Sequence, residues 1–319
     1  MRFVTFEQAD EIFLGALTAD DAIQNLTEAS RAAGRDGATV FQTMQALIDG
    51  GEAALDEARR LMDVEGHAVA ADAVRLLAPL PRPQSIRDFF TFPGHILQSA
   101  AGMQRLRARI AGEPAPNAPP FTELPPLYRQ KAIYHECNPL TVVGTGVDVI
   151  WPRYSDYMDF ELELAVVIGR RGVDIAAKDA AQHIFGYTIF NDFSARDAQM
   201  EEMPGMMGPA KGKDFDRGNV IGPCIATADE FDDVHDIAMR AYINGEPFAE
   251  GSNSEMLHSF EEIIAYISRG ETLHPGELLG SGTMSGGCGI EQDHFLSDGD
   301  LVTLEIDGIG RIENRVRRA

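Results

Sequence analysis

The segment DFELELAVVIGRR, residues 159–171, constrains this chain more than any other. Read as a strand, it puts Glu161, Glu163, Ala165 and Val167 on one side and Leu162, Leu164, Val166 and Ile168 on the other. Both sides turn apolar beyond Glu163. That is the pattern of a strand covered on both faces, with its carboxylates held at one end. Two carboxylates on the same strand face lie roughly 7 Å apart. Burying them requires cations or hydrogen-bond donors that offset desolvation and mutual repulsion. Two readings follow: a strand start with both glutamates in water, or half of a cage around a divalent cation.

The rest of the chain supplies candidates for the other half. Asp192 stands where a second apolar strand ends, in IFNDFSARDAQMEEMPG. Three carboxylates at strand ends can surround a hard cation, and no His or Cys cluster shows zinc spacing, so Mg2+, Mn2+ or Ca2+ is expected over softer metals. Arg196 and Gln199 follow at spacings that share a face if the chain turns helical there; a solvated face is the bland reading. Lys213, among glycines in GPAKGKDFDRGNVIGP, can balance the site's charge or remain a loop cation. His95 follows Asp88 by seven residues near a Pro-Gly turn. Beside a metal site it is the natural general base, since an imidazole's unperturbed pKa of ~6.5 suits proton transfer near neutrality. Thr283, in LLGSGTMSGGCG, offers a hydroxyl or backbone donor to a ligand, and MEEMPGMMG reads as a flap or as packing.

A chain of 319 residues can bury a large core as one large domain plus a smaller one. Its 27 Lys+Arg against 50 Asp+Glu exclude nucleic acid and anionic membranes as natural partners, so the substrate's charge must be handled locally. Cys137, Cys224 and Cys288 form no CxxC, the N-terminus shows no signal-peptide core, and no apolar run spans a bilayer; a cytoplasmic protein with reduced thiols is expected.

Residues 1–82 read as a mainly helical N-terminal domain with a short opening strand, Thr18 and Asp21 starting the first helix and Gly34 ending it. The prolines of LAPLPRPQS mark the boundary to residues 83–319. From Tyr128 onward the pattern is largely β, with hairpin turns at Asn244-Gly245 and Asp307-Gly308 and one helix opened by a Ser259–Glu262 capping box. The expected fold class is α+β, β-rich.

The motifs FELELAVVIG, FNDFSARDAQ, GKDFDRGNVIGP and GSGTMSG, in this order and spacing, resemble those of the fumarylacetoacetate hydrolase family from about Ile86 to the C-terminus. The resemblance implies a β-sandwich roll, commonly a homodimer, with Glu161, Glu163 and Asp192 holding a divalent metal. RDFFTFPGH resembles the aspartate-to-histidine stretch of larger members, which makes Asp88 a fourth ligand and His95 the water-activating base. By the same resemblance Arg196, Gln199 and Lys213 stabilise substrate oxygens and a departing carbanion, while Tyr134 and Thr283 contact substrate. Family hydrolases cleave a carbon–carbon bond in a 1,3-dicarbonyl acid. Two departures stand out: Gln98 replaces the glutamate that follows the base as H-x-x-E, and Arg217 occupies a threonine-type position. The expectation is metal-dependent hydrolysis of an acylpyruvate- or fumarylacetoacetate-like acid. The alternatives are decarboxylation, hydration or isomerisation on the same site, or a non-catalytic ligand-binding member.

Overall fold

The strand Leu162–Ile168 is buried at all of its positions, and its two faces belong to two different cores. Leu162, Leu164, Val166 and Ile168 pack with Met239, Ala241, Leu304 and Ile306 in one core. Ala165 and Val167 join Phe3, Leu26, Met44, Leu47 and Leu55 in the other. In this computed structural model, which describes residues 1–20, 22–34 and 39–319, that division organises the whole chain.

A 12-stranded sheet forms the central layer. Its main path runs Ala68–Ala70, Ala22–Asn25, Glu11–Leu17, Arg2–Gln8, Asn219–Ala226, Ile184–Asp192, Leu162–Ile168, Leu278–Gly280, Ile86–Phe89 and Tyr134–Cys137. A five-stranded sheet, built from Glu246–Ser252, Ala238–Ile243, Leu301–Ile306, Gly310–Arg318 and Val149–Trp151, packs on the first core. The helices Leu26–Ala32, Met44–Asp49 and Gly51–Leu61 cover the second. The fold is therefore a β-rich α+β sandwich with a helical layer outside the larger sheet.

Local signals behave as their chemistry requires. Asn244 and Gly245 both take positive φ, 54° and 84°, as a two-residue hairpin of this twist needs. Ser259 and Glu262 complete a reciprocal capping box for the helix Phe260–Ile267. Residues 113–122 of the Pro-rich connection are exposed. No helix among the described residues is long and apolar enough to cross a membrane.

The N-terminal region holds more strand than its sequence pattern suggests. The helices are present, but Glu11–Leu17, Ala22–Asn25, Ala68–Ala70 and Arg75–Leu76 accompany the opening strand Arg2–Gln8. Thr18 does not cap a helix: it turns a hairpin, its hydroxyl accepting from the Ala22 N–H at 3.1 Å. Asp21 lies outside the described residues. Asn25 is the true N-cap, accepting from the Glu28 N–H at 3.0 Å, and Gly34, at φ 63°, follows the helix end as expected. The early helix start fails because Ala22–Asn25 finds its backbone partners across the sheet, in Glu11–Leu17. Arg2–Gln8 then pairs with Asn219–Ala226, so the N-terminal strands extend the sheet that carries the glutamates, across the expected boundary at 82/83.

Leu164 is fully buried between the two sheets. Leu164→Ala is expected to cost about 2–5 kcal/mol of unfolding free energy. Urea denaturation reads this as a lower midpoint with an unchanged slope, and an unchanged midpoint would contradict the packing described.

Candidate active site

Four neighbouring strands end at one place. Asp192 closes Ile184–Asp192, Glu161 and Glu163 flank the start of Leu162–Ile168, Gly280 ends Leu278–Gly280, and Asp88 lies in Ile86–Phe89. Gly280 stands in register with Asp88, between the Glu163 and Asp88 strands. A β-carbon there would lie 2.7 Å from Glu163 Oε2 and 3.1 Å from Asp88 Oδ1. The missing side chain is what lets these two carboxyls close over the strand between them. All four acids are buried, which rules out the reading of a strand start in water.

Two buried cations meet them. Lys213, from the short helix Ala210–Lys213, bonds Glu161 Oε2 and lies 2.7 Å from Asp192 Oδ2. Arg196, first residue of the helix Arg196–Glu202, donates from Nε to Asp159 Oδ2 at 2.8 Å and from Nη1 to Gln199 Oε1 at 3.0 Å. Its Nη2 lies 2.8 Å from Glu161 Oε1. Burial disfavours ionisation of Glu161, yet Lys213 and Arg196 overcome it and hold this carboxyl well below the usual range. Burial likewise raises Asp88 to about 6 and Asp192 to about 7, and with Asp88 alongside it lifts Glu163 well above its ordinary value.

His95 enters from the first turn of the helix Pro93–Ala111, its ring edge-on to Phe90 with centroids 5.0 Å apart. Its Nε2 lies 3.9 Å from Glu161 Oε1. The other ring nitrogen, Nδ1, bonds Glu291 Oε1, and Glu291 Oε2 accepts from the Gly286 N–H. This is the orienting carboxylate that the missing H-x-x-E left unassigned, while Gln98 is exposed. Asp159 holds Glu291's segment in place: it accepts from the Gly289 N–H at 2.7 Å, the Ile290 N–H at 2.8 Å and Arg196. Close approach of the histidine helix needs Gly102, where a β-carbon would sit 2.1 Å from the Ile290 carbonyl oxygen.

The remaining expected residues divide. Thr283 reaches the site, its hydroxyl 3.5 Å from Glu163 Oε1, beside the Gly282 N–H that donates to Glu163 Oε2 at 3.1 Å. Gln199 supports Arg196. Tyr134 does not reach the carboxylates; it packs on Phe89 at 5.0 Å and lies beneath the Arg87 guanidinium. Its neighbour His135 takes that place, with Nδ1 3.6 Å from Asp88 Oδ2 and Nε2 3.8 Å from Asp192 Oδ2. Adjacent strand residues point to opposite faces, so a one-residue offset decides which ring enters the site. Arg217 points elsewhere, donating to the Asp148 carbonyl at 3.1 Å. Met203, Met206 and Met207 are exposed just beyond the Arg196 helix.

Residues 118–317 match the family model described as "Fumarylacetoacetate (FAA) hydrolase C-terminal". The chain belongs to the fumarylacetoacetate hydrolase family. Among relatives in this family, human "Oxaloacetate tautomerase FAHD2A, mitochondrial" is 31% identical, the match covering 87% of this chain and 81% of that protein. "Oxaloacetate tautomerase YisK" from Bacillus subtilis is 29% identical over 99% of this chain and 100% of its own. A solved fumarylacetoacetate hydrolase, EaFAH from Exiguobacterium antarcticum, superposes with a TM-score of 0.75 at 28% identity, covering 100% of both chains.

The donor set suits the divalent cation expected of a fumarylacetoacetate hydrolase family member. Asp88, Glu161 and Asp192 each offer a carboxylate oxygen, all within 4.8 Å of one another. Asp88 Oδ1 and both Asp192 oxygens are buried without a hydrogen-bond partner. Oxygen ligands of this kind fit hard cations. Glu163 stands one step aside, bonded to the Gly282–Thr283 turn.

A carboxyl whose folded pKa exceeds its unfolded value of ~3.9 binds extra protons when folded. Its stabilising contribution is complete in acid and is lost as pH rises through the folded value. Without added cation, the stability that Asp88 and Asp192 contribute should therefore decline from about pH 4 and be lost by about pH 6 for Asp88 and about pH 7 for Asp192. Mg2+ binding at about pH 6 should release protons, and fewer at about pH 8.5. Calorimetric titration in two buffers of different ionisation enthalpy measures that release; identical heats at the lower pH would contradict it.

Proposed function

We propose that this protein is a divalent-cation-dependent keto–enol tautomerase of a short 2-oxo dicarboxylic acid of the oxaloacetate type. The observation that carries the reading is the buried His95–Glu291 pair, which aims an imidazole nitrogen at the carboxylate cluster. Two relatives named oxaloacetate tautomerases, each matching most of the chain, support the choice of substrate class.

Glu161, Asp192 and Asp88, with Glu163 beside them, would hold the cation, Mg2+ or else Mn2+ or Ca2+. Bound there, it would supply Lewis acidity toward the oxygens of a 2-oxo acid. The chain's own residues do the rest. Glu291 accepts the Nδ1–H of His95, which fixes the tautomer and leaves the Nε2 lone pair toward the site. Nε2 takes a proton from the carbon between the ketone and the distal carboxylate. The C–H electron pair becomes the new C=C bond as the C=O π pair moves onto the ketone oxygen, and that oxygen then takes the proton back from Nε2–H, leaving the enol and a neutral imidazole. The return direction delivers the proton from Nε2 to the same carbon. Lys213 and Arg196 set positive charge beside the developing oxyanion, and Gln199 keeps Arg196 aligned. Thr283 offers a hydroxyl at the rim. The small-molecule partner and the homodimer expected from sequence belong to this same proposal.

Hydrolysis of a carbon–carbon bond in a 1,3-dicarbonyl acid is the second reading. It is favoured by one finding: Glu291 gives His95 the partner a water-activating base requires, so the lost H-x-x-E no longer counts against it.

The two are separated by following oxaloacetate and an acylpyruvate with Mg2+ present. Faster loss of enol absorbance without new acid fragments is expected; stoichiometric fragment release from the acylpyruvate, with no effect on the enol, would replace tautomerisation by hydrolysis. His95→Ala should lower kcat about 10²–10⁴-fold while Mg2+ still binds, and Glu291→Gln should lower it in the same direction. Unchanged turnover in His95→Ala would remove this histidine from the mechanism.

A further inference from the structure

We propose that His135, Cys137 and Asp192 form a second cation site, of different donor chemistry from the carboxylate cluster, that takes a borderline-soft divalent ion of the Zn2+ class. The site is read from these three side chains alone and does not depend on the reaction proposed above.

His135 and Cys137 alternate onto the same face of the strand Tyr134–Cys137, and that face meets the end of the Asp192 strand. One ligand atom from each of the three lies within 4.8 Å of the others. His135 Nε2 is 3.4 Å from Cys137 Sγ and 3.8 Å from Asp192 Oδ2. For Zn–N and Zn–S bonds of about 2.0–2.3 Å, tetrahedral ligands stand roughly 3.3–3.8 Å apart, so these two edges need little adjustment. Asp192 is fully buried; its Oδ2 pairs with the Lys213 ammonium at 2.7 Å, and its Oδ1 has no hydrogen-bond partner. The His135 side chain retains 24% exposure, which gives an ion an entry path and leaves room for a fourth ligand such as water. On binding, the Cys137 thiol loses its proton to solvent and the thiolate sulfur donates to the metal.

A nitrogen–sulfur–oxygen set selects differently from the all-oxygen cluster with which it shares Asp192: thiolate and imidazole favour Zn2+ or Co2+, and Mg2+ gains nothing from them. The other cysteine cluster, His95 with Glu161 and Cys288, is a weaker candidate, because Glu291 already bonds His95 Nδ1 and lies 3.6 Å from Cys288 Sγ. The Nδ1 nitrogen and the thiol are both engaged by that carboxylate. No C-x-x-C or H-x-x-x-H spacing announces the Cys137 site, since H-x-C on a strand acquires its third donor only through the sheet.

Co2+ is the probe, added to the full-length, chelator-treated protein and followed by absorption. A sulfur-to-cobalt charge-transfer band is expected in the wild type and in Cys288→Ser, and is expected to be lost in both Cys137→Ser and His135→Ala. Competition with a chromophoric chelator should show Zn2+ bound at least about tenfold more weakly by those two variants. Near-UV circular dichroism confirms that each is folded, and His135→Ala, at a partly exposed position, carries the test if Cys137→Ser does not fold. No thiolate band in the wild type, a band that survives the loss of Cys137, or one abolished only by Cys288→Ser would overturn the proposal. Because the readout is spectroscopic, its failure is distinct from a failure of the tautomerase reading, which is judged by turnover with Mg2+.

Discussion

Everything at this site depends on how its buried negative charge is balanced. Asp88, Asp159, Glu161, Glu163, Asp192 and Glu291 are all buried, and two buried cations, Lys213 and Arg196, stand among them. Ionised carboxylates in excess of their counter-charges are too costly to keep in an apolar interior. The protein resolves the excess unevenly. Glu161, bridged by Lys213 and Arg196, stays ionised far into acid; Asp88, Asp192 and Glu163 hold protons toward neutrality because burial outweighs what reaches them. A divalent cation bound among them would take over the duty of those protons, which would tie its affinity to pH. The chain's −23 net charge does not reach this balance, which is local.

Such a cluster persists only on a rigid support, and the two cores supply one. The Leu162–Ile168 strand is packed by the second sheet on one side and by the N-terminal helices on the other, so its end cannot splay to hydrate the glutamates. The N-terminal strands contribute at a distance: by pairing with Asn219–Ala226 they flank the strand next to Asp192. A segment that reads as a separate unit in sequence thereby stiffens the layer that carries the buried carboxylates.

What the sequence discloses follows the range of the interaction that encodes it. Period-two patterning is local, so FELELAVVIG announced a doubly covered strand and FNDF announced its neighbour. Turn and cap chemistry is local too, and Asn244-Gly245 and Ser259–Glu262 take the forms expected of them. Glu291 was hidden because its pairing with His95 spans 196 residues and no spacing rule links a helix start to a distant four-residue helix. Asp159 was hidden in plain view, at the head of the most informative segment, because its acceptor contacts beyond the neighbouring Phe160 N–H are made by the distant helix start at Gly289 and Ile290 and by Arg196. Tyr134 and His135 differ by one position, and only the ladder with Ile86–Phe89 decides which faces Asp88. Thr18 lost its cap to Asn25 because a sheet partner outcompeted a short helix start.

Asp159 also joins two halves of the site that look separate in a list of roles. One of its oxygens accepts from Arg196, whose other nitrogens reach Glu161 and Gln199; both oxygens accept from the Gly289 and Ile290 N–H groups that position Glu291. The charge on Glu161 and the orientation of His95 therefore share one buried anchor. Displacing Arg196 from Asp159 would leave that carboxylate with backbone donors alone, and it would shift toward the segment that carries Glu291. The imidazole would follow, since its Nδ1 contact is to Glu291. A cation bound at Glu161 would act on Arg196 from the opposite end of the same chain of contacts. The alignment of the His95 imidazole is thus set partly by the electrostatics of the carboxylate cluster it faces, and a histidine on an isolated H-x-x-E helix would lack that coupling.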